Sequence, residues 1–488
     1  MDWVSLQQSM PKVERLPHRA TKIVNLAKVL NGQHYDHIAN DFSQETGGGD
    51  DAYIKISERR PAIKSFLCST VVHDSVSLLF SEGHFPTVNS TDKNTSKSLN
   101  AIIKQCKLNE IMIDGATRGS VGSIAIQFKV LRGKPFFEVH NTAFLTPFFD
   151  PEDPDTLLRV VERYTVDSET LIAQGYNVSP DRSRYFFQRE WNSEEEIWYL
   201  PFATDETPVI RRDEVNTIKH GLGFCPLVWI KNLPGGDGVD GACTFEAAID
   251  TSIVIDYLLS MGNRALTFTA DPKLVIINPS GEEKPITGGS SNAIVIQDSG
   301  ARAEFLEISG TASEAVREYV RYLRSVALEA VHGNKTDPDK LSAAQSGRAM
   351  EMMNQSLIWL ADRLRTSYGE VGLISLLKMA CLASKRIKGG IKLGSEFITD
   401  LDENDISLLW PRWYASTAED RQADATTYSA LTKSALISKK TALKVLASEY
   451  DIEDIEAELE QIFLEEKATD ERISRQPDIT KVSESIQA

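Results

Sequence analysis

A chain of 488 residues, 41% hydrophobic and 25% charged, has the balance of a globular protein large enough for about two to four domains. Its formal net charge of −17 excludes a general nucleic-acid-gripping surface, because such surfaces are basic; a protein that touches DNA without holding it can still be acidic. The five cysteines are scattered without a C-x-x-C pair, which excludes a disulfide framework and a zinc knuckle, and no stretch approaches the ~18 apolar residues of a membrane span.

The opening MDWVSLQQSMPKVERLPHR lacks the apolar run of a signal peptide, so a soluble protein made in a cytoplasm is expected. Residues 1–60 read as helical, with TKIVNLAKVLNG ending on a glycine suited to a C-cap, and DFSQETGGGDDAY reads as a loop. RRPAIKSFLCSTVVHDSVSLLFSEG repeats apolar residues at helical spacing from Ile63 to Leu79, with Pro61 near the start and Gly83 past the end. NTSKSLNAIIKQCKLNEIMIDGATRGSVGS is a second helical stretch.

The pattern then changes to strands. SIAIQFKV, KPFFEVH and AFLTPFF alternate, and LLRVVERYTVD, SRYFFQREWN and EEIWYLPF continue as antiparallel β; HGLGFCPLVWIKNLPGGDGVDG adds one more strand and a Gly-rich exit. From Thr244 to Leu266 the chain is helical again. PKLVIIN, NAIVIQ and RAEFLEIS are short strands within residues 267–308, separated by the turn-rich PSGEEKPITGGSS. Residues 313–332 form another helix, and after the charged loop GNKTDPDK one long helical stretch runs from about Ser342 to Arg386, with Gly347, Gly369 and Gly372 as sites for kinks. KLGSEFITDLDENDISLLWPRWYAS returns to strand, the chain is helical to about residue 472, and the polar tail 473–488 is expected to be disordered. No internal repeat is visible.

Catalytic signatures are missing. There is no G-x-x-x-x-G-K-[ST] phosphate loop, no G-x-S-x-G elbow and no H-E-x-x-H pair. GATRGSVGS (115–123) lies between a helix and a strand and reads as a turn or close-packing segment, not a phosphate site. Of eight histidines only His34 and His37 are close; nothing completes a metal site around them, so they read as surface residues. The acidic runs DIEDIEAELEQ and DLDEND lack the spacing of an EF-hand loop. No catalytic residue, metal or cofactor is assigned.

Two helices carry the informative pattern. In Thr244–Leu266, residues Phe245, Ile249, Ile253, Val254, Ile255, Leu258, Leu259 and Met261 cover most of the circumference, which calls for burial on several faces and hence for neighbouring subunits. In Ser313–His332, residues Val316, Tyr319, Val320, Leu323, Ala327 and Val331 form an inward stripe. Arg317, Arg321 and Arg324 lie on one face. Either they form a solvent face balanced by Glu314 and Glu318, or they line a passage or bridge subunits. The two helices flank the β segment and should run antiparallel.

Helix, β segment, helix, charged loop, long kinked helix: this order is similar to that of the portal proteins of tailed bacteriophages, nearest to those of long-tailed phages infecting Gram-positive hosts. The resemblance covers roughly residues 60–465. HGLGFCPLVWIKN looks like the family's strand leading to its stem, AAIDTSIVIDYLLS like the first stem helix, LSAAQSGRAMEMM like the start of the long helix, and WYASTAEDRQADATTYSALTKSALISKKTALKVL like the passage from wing to crown.

The resemblance implies a mixed α+β, ring-forming portal fold with an α/β wing, a helical stem, a small β-containing clip and a helical crown. Residues 1–242 and 344–411 would be the wing, 243–266 and 311–332 the stem, 267–310 the clip, 333–343 the tunnel loop and 412–472 the crown. It implies a homododecamer at one capsid vertex of the virion, assembled in the host cytoplasm, through which double-stranded DNA passes. Implied partners are the terminase large subunit, a head-completion or adaptor protein, and the major capsid and scaffolding proteins, with no membrane. The tunnel loop would bring Asn334, Lys335, Thr336, Asp337 and Lys340 to the DNA. An acidic conduit with a few cations suits sliding, because tight phosphate neutralisation would hold the cargo. The acidic run Glu449–Glu466 would face the packed genome. PSGEEKPITGGSS departs from the family in being too rich in Pro and Gly for its short clip helix. The alternatives are a DNA-packaging enzyme such as a terminase subunit, against which the missing phosphate loop weighs, and an unrelated oligomeric adaptor.

Overall fold

The structure, a computed structural model, describes residues 2–11, 16–47, 53–204, 210–270, 274–277, 302–305, 311–334, 347–414, 417–447, 452 and 455–475. Helix and sheet are mixed in an α+β arrangement. The chain divides into two compact units: Met1–Lys335 with Asn354–Trp410, and Thr336–Met353 with Pro411–Ala488.

In the first unit, α1 (Trp3–Ser9) and α2 (His18–Leu30) precede a short parallel pair, β1 (Asn40–Asp41) with β2 (Arg59–Arg60). The apolar run expected from Ile63 becomes helical only at α3 (Leu67–Phe80), because Phe66 takes a left-handed φ of 51° that turns an extended approach into the helix. A short strand, β3 (Thr87–Asn89), comes next. The second helical stretch is two helices, α4 (Lys93–Gln105) and α5 (Leu108–Gly119), parted by a left-handed Lys107.

Two antiparallel sheets follow. β4 (Ser123–Leu131) lies between β5 (Lys134–His140) and β12 (Leu227–Lys231). Its first six residues are buried on both faces, which is why SIAIQF reads almost continuously apolar. The larger sheet runs β11 (Arg212–Lys219), β9 (Glu195–Tyr199), β8 (Arg184–Trp191), β7 (Leu157–Asp167), β6 (Leu145–Phe149), with β10 (Phe202–Ala203) also on β8. α6 (Ser168–Ala173) links β7 to β8. Ala125, Leu227 and Trp229 of the first sheet meet Leu145, Val160 and Trp191 of the second in one core. The edge strand β11 was not apparent in the sequence: its apolar Val215 is 92% exposed, so RRDEVNTIK carries no core-facing alternation.

After a 3₁₀ turn at Glu246–Ala248, α7 (Ile249–Ala270) leads to an antiparallel pair, β13 (Leu274–Ile277) with β14 (Arg302–Phe305), and α8 (Thr311–Ala330) returns along α7. The strand expected at NAIVIQ lies outside the described residues. The long helical stretch is segmented into Gly347–Met353, Gln355–Leu364, a π-helical Arg365–Leu373 and Ile374–Arg386. Gly369 and Gly372 fall inside the π segment, where a Cβ would collide with the Trp410 ring and, at 2.6 Å, with Ile230 of β12. Bare backbone is what lets this helix touch the sheet. Two short pairs, β15 (Ile391–Leu393) with β16 (Glu396–Ile398) and β17 (Ser407–Leu409) with β3, complete the unit.

The second unit holds Gly347–Met353, the first piece of that long stretch, and three further described helices, Ala418–Lys433, Lys439–Leu446 and Ile455–Arg475. The first opens with a capping box between Thr417 and Asp420. The last runs to Arg475, three residues into the stretch expected to be a disordered tail; residues 476–488 lie outside the described set.

Candidate channel and assembly surface

The α7–α8 pair is the element that the sequence pattern singled out, and the first half of α7 is covered by its own chain. Asp256 is 1% exposed and accepts hydrogen bonds from Ser65 N at 2.7 Å and the Tyr35 hydroxyl at 3.1 Å. Burial pushes its carboxyl above the usual range, against the pull of those two donors. The Tyr257 hydroxyl donates to Arg59 O at 3.0 Å, Ile63 N donates to Ser260 Oγ at 3.1 Å, and Trp3 N donates to Asp250 Oδ1 at 2.6 Å. Tyr35, Arg59, Ile63 and Ser65 are thus fastened along α7. The expectation that only neighbouring subunits could cover this helix is corrected: Phe245, Ile249, Ile253 and Ile255 are buried within one chain. Val254, Met261 and Leu266 remain exposed.

On α8, Arg317 pairs with Glu314 at 3.3 Å and Arg321 with Glu318 at 3.0 Å, all four well exposed. The Arg324 charge acts on Asp74 of α3, whose carboxyl is raised by burial and lowered in part by that guanidinium. Each member of the arginine row therefore has a carboxylate at hand, as the balanced solvent face requires. Tyr319 does not belong to the inward stripe. It is 51% exposed and stacks on Tyr322, ring centroids 6.4 Å apart. Tyr319, Tyr322 and Val326 make an exposed stripe at i, i+3 and i+7, a spacing that the sequence itself displays beside the arginine row.

α8 ends in a closed cap. His332 takes a left-handed φ of 54°, and Gly333 N donates to Leu328 O at 2.8 Å, the pattern of a Schellman motif. Gly333 packs between Leu328 and Val71, which fixes where the charged loop leaves the body. Asn334 is the one candidate loop residue within the described set and is half-buried. Lys335, Thr336, Asp337 and Lys340 lie outside it.

Elsewhere the chemistry is structural. GATRGSVGS packs closely, as expected, but Gly115–Gly119 are the end of α5 rather than a link between helix and strand: a Cβ on Gly119 would strike the Tyr368 hydroxyl and one on Gly115 would press Ile126 at 3.2 Å. His34 is buried, not a surface residue, and burial with the nearby Lys64 charge pulls its imidazole down to about 4. His37 meets Ser9 Oγ at 2.8 Å. Among the described residues no group of three or more His, Cys, Asp or Glu could hold a metal ion.

A family model described as phage portal protein, SPP1 Gp6-like, matches residues 67–472. Comparison with curated proteins returns no match.

Proposed function

The chain belongs to the SPP1 Gp6-like family of phage portal proteins, and from that premise we propose that its copies form a dodecameric ring at one capsid vertex. The ring's axis is the path of DNA during packaging and ejection. Its outer end is the docking platform for the terminase large subunit and, later, for the tail adaptor. The family is structural rather than enzymatic. The virion is its place, and among the described residues no helix is long and apolar enough to cross a membrane.

The observation that carries this reading is the extent of the family match, residues 67–472, over a chain that runs helix, paired strands, helix through α7, β13–β14 and α8. On this proposal 243–266 and 311–332 are the stem, 267–310 the clip, 333–343 the tunnel loop and 412–472 the crown, while 1–242 and 344–411 form the wing. The compact unit that resumes at Pro411 supports a crown beginning there. Assembly is supported by surface that one chain leaves open. Ala418–Lys433 buries none of its residues, and Leu436, Phe463 and Leu464 are 59–73% exposed. Asn334, Lys335, Thr336, Asp337 and Lys340 would meet DNA; Arg317, Arg321 and Arg324, each with a carboxylate nearby, would bridge subunits rather than grip phosphate.

Electron microscopy of the purified full chain tests this. Rings with a central hole are expected. Compact particles without a hole, or monomers at every concentration, would overturn it.

A further inference from the structure

The β4–β5 hairpin runs beyond the sheet that covers it. Residues directly opposite in its register share a face: Ala125 with His140, Gln127 with Glu138, Lys129 with Phe136, and Leu131 with Lys134. At one end of that face Ala125 and Gln127 are buried, Ala125 packed with Leu145, Val160 and Trp191 of the larger sheet. At the other end the cover stops, and Leu131 and Phe136 are 53% and 46% exposed. The turn that closes the hairpin puts Arg132 and Gly133 at left-handed φ of 52° and 81°, the pattern of a type I′ turn. Asn or Asp is the usual first residue of such a turn; here it is an exposed arginine.

A second hairpin abuts that turn. Lys392 N, on β15, donates to Gly133 O at 2.7 Å, and a Cβ on Gly133 would touch Lys392 Cβ at 3.5 Å and the Phe397 ring at 3.7 Å. Lys392 and Phe397 are opposite one another in the β15–β16 pair, with the Lys392 ammonium 5.9 Å from the centre of the Phe397 ring. Ile391, on the other face of this pair, is fully buried, whereas Phe397 is 62% exposed. The two tips thus set Leu131, Phe136 and Phe397 among Arg132, Lys134 and Lys392.

No carboxylate of the chain balances these cations. Glu138 is engaged by Lys129 at 2.5 Å. Glu396 is opposite Leu393 in the register, on the Ile391 face of its hairpin and away from Lys392. Among the described residues Arg132, Lys134 and Lys392 form no ion pair. In a chain of net charge −17, the two tips are a local excess of positive charge around open apolar side chains.

We propose that the two hairpin tips are a docking surface for an acidic segment of another protein, one that carries carboxylates beside apolar side chains. Its apolar residues cover Leu131, Phe136 and Phe397, and its carboxylates take charge-assisted hydrogen bonds from Arg132, Lys134 and Lys392. Excluding water around the apolar contact strengthens those ion pairs. Duplex DNA fits the surface less well. Its charged backbone would leave the apolar side chains wet, and a chain of net charge −17 repels a polyanion far more than a short acidic peptide. The inference stands apart from the ring reading, because the whole surface belongs to one chain.

The test uses the full chain and a fluorescent peptide in which Asp and Leu alternate, read by anisotropy, with an Asn–Leu peptide as the uncharged control and a mixed-sequence DNA duplex as the competing class. The Asp–Leu peptide is expected to bind and the control to bind much more weakly, with the difference shrinking as salt is added. Lys134→Glu with Lys392→Glu, and separately Phe397→Ser, are each expected to weaken binding by about tenfold, the loss of one good contact. Circular dichroism checks that these exposed positions leave folding intact. No binding of the Asp–Leu peptide, equal binding of the control, or variants that bind like the parent would overturn the proposal. Tight duplex binding lost in the same variants would overturn it in favour of a nucleic-acid contact. Each of these outcomes leaves the ring reading standing, and a chain that makes no ring leaves this surface as it is.

Discussion

The Tyr368 hydroxyl donates to Asn232 Oδ1 at 3.1 Å, joining the π-helical segment to the end of β12. The Asn232 amide in turn donates to Ala242 O and Thr244 Oγ, both at 2.8 Å. One buried side chain thereby ties the long helix, the small sheet and the approach to α7. Tyr368→Phe should cost about 1–2 kcal/mol, because it leaves a buried acceptor unsatisfied while preserving ring packing. Urea unfolding measures it, and an unchanged midpoint would mean that the bond carries no weight.

Gly119 faces the same hydroxyl with no room for a methyl group. Gly119→Ala should destabilise by about 1–3 kcal/mol, since the obstacle is a held phenol rather than a loose chain end. Combining it with Tyr368→Phe, which removes the oxygen, should cost less than the sum of the two. Additive losses in a double-mutant cycle would exclude the clash.

Arg19 on α2 holds Asp240 through two bonds, 2.6 and 2.8 Å, and donates to the carbonyls of Thr142 and Leu145 at 3.0 and 2.9 Å. Ser123 Oγ also donates to Asp240. Asp240→Ala strands a mostly buried guanidinium and should cost about 3 kcal/mol by chemical denaturation. A loss under about 1 kcal/mol would show that water replaces the partner.

Buried His34 makes stability depend on pH. Its imidazole takes up a proton near 6.5 when unfolded and only near 4 when folded, lowered by burial and Lys64 against the Lys28 carbonyl and Asp36. The stability it supplies is therefore complete above about pH 6.5 and is lost as pH falls toward 4, at up to about 1.4 kcal/mol per unit. His34→Gln should flatten that part of the curve of melting temperature against pH. Parallel curves for parent and variant would assign the slope to other groups.

Lys335→Ala with Lys340→Ala should leave rings intact under the microscope and impair DNA packaging or retention in virions. Loss of rings instead would make the loop a contact between copies.

Periodicity alone determined much of this protein. The strands β4, β5, β7 and β8, the α7 and α8 helices and the paired strands between them follow from alternation and helical spacing, because local backbone sterics and one buried face dictate both. The order of those elements was enough to point to the portal family. Only the tertiary structure decided what covers each face. α7 is apolar around most of its girth, and nothing local says that Tyr35, Arg59, Ile63 and Ser65, far away in sequence, would supply partners for it. Tyr319 sits at the margin of an apolar stripe, where spacing cannot choose between core and solvent. β11 stayed hidden because an edge strand with little core contact has no hydrophobic rhythm to read.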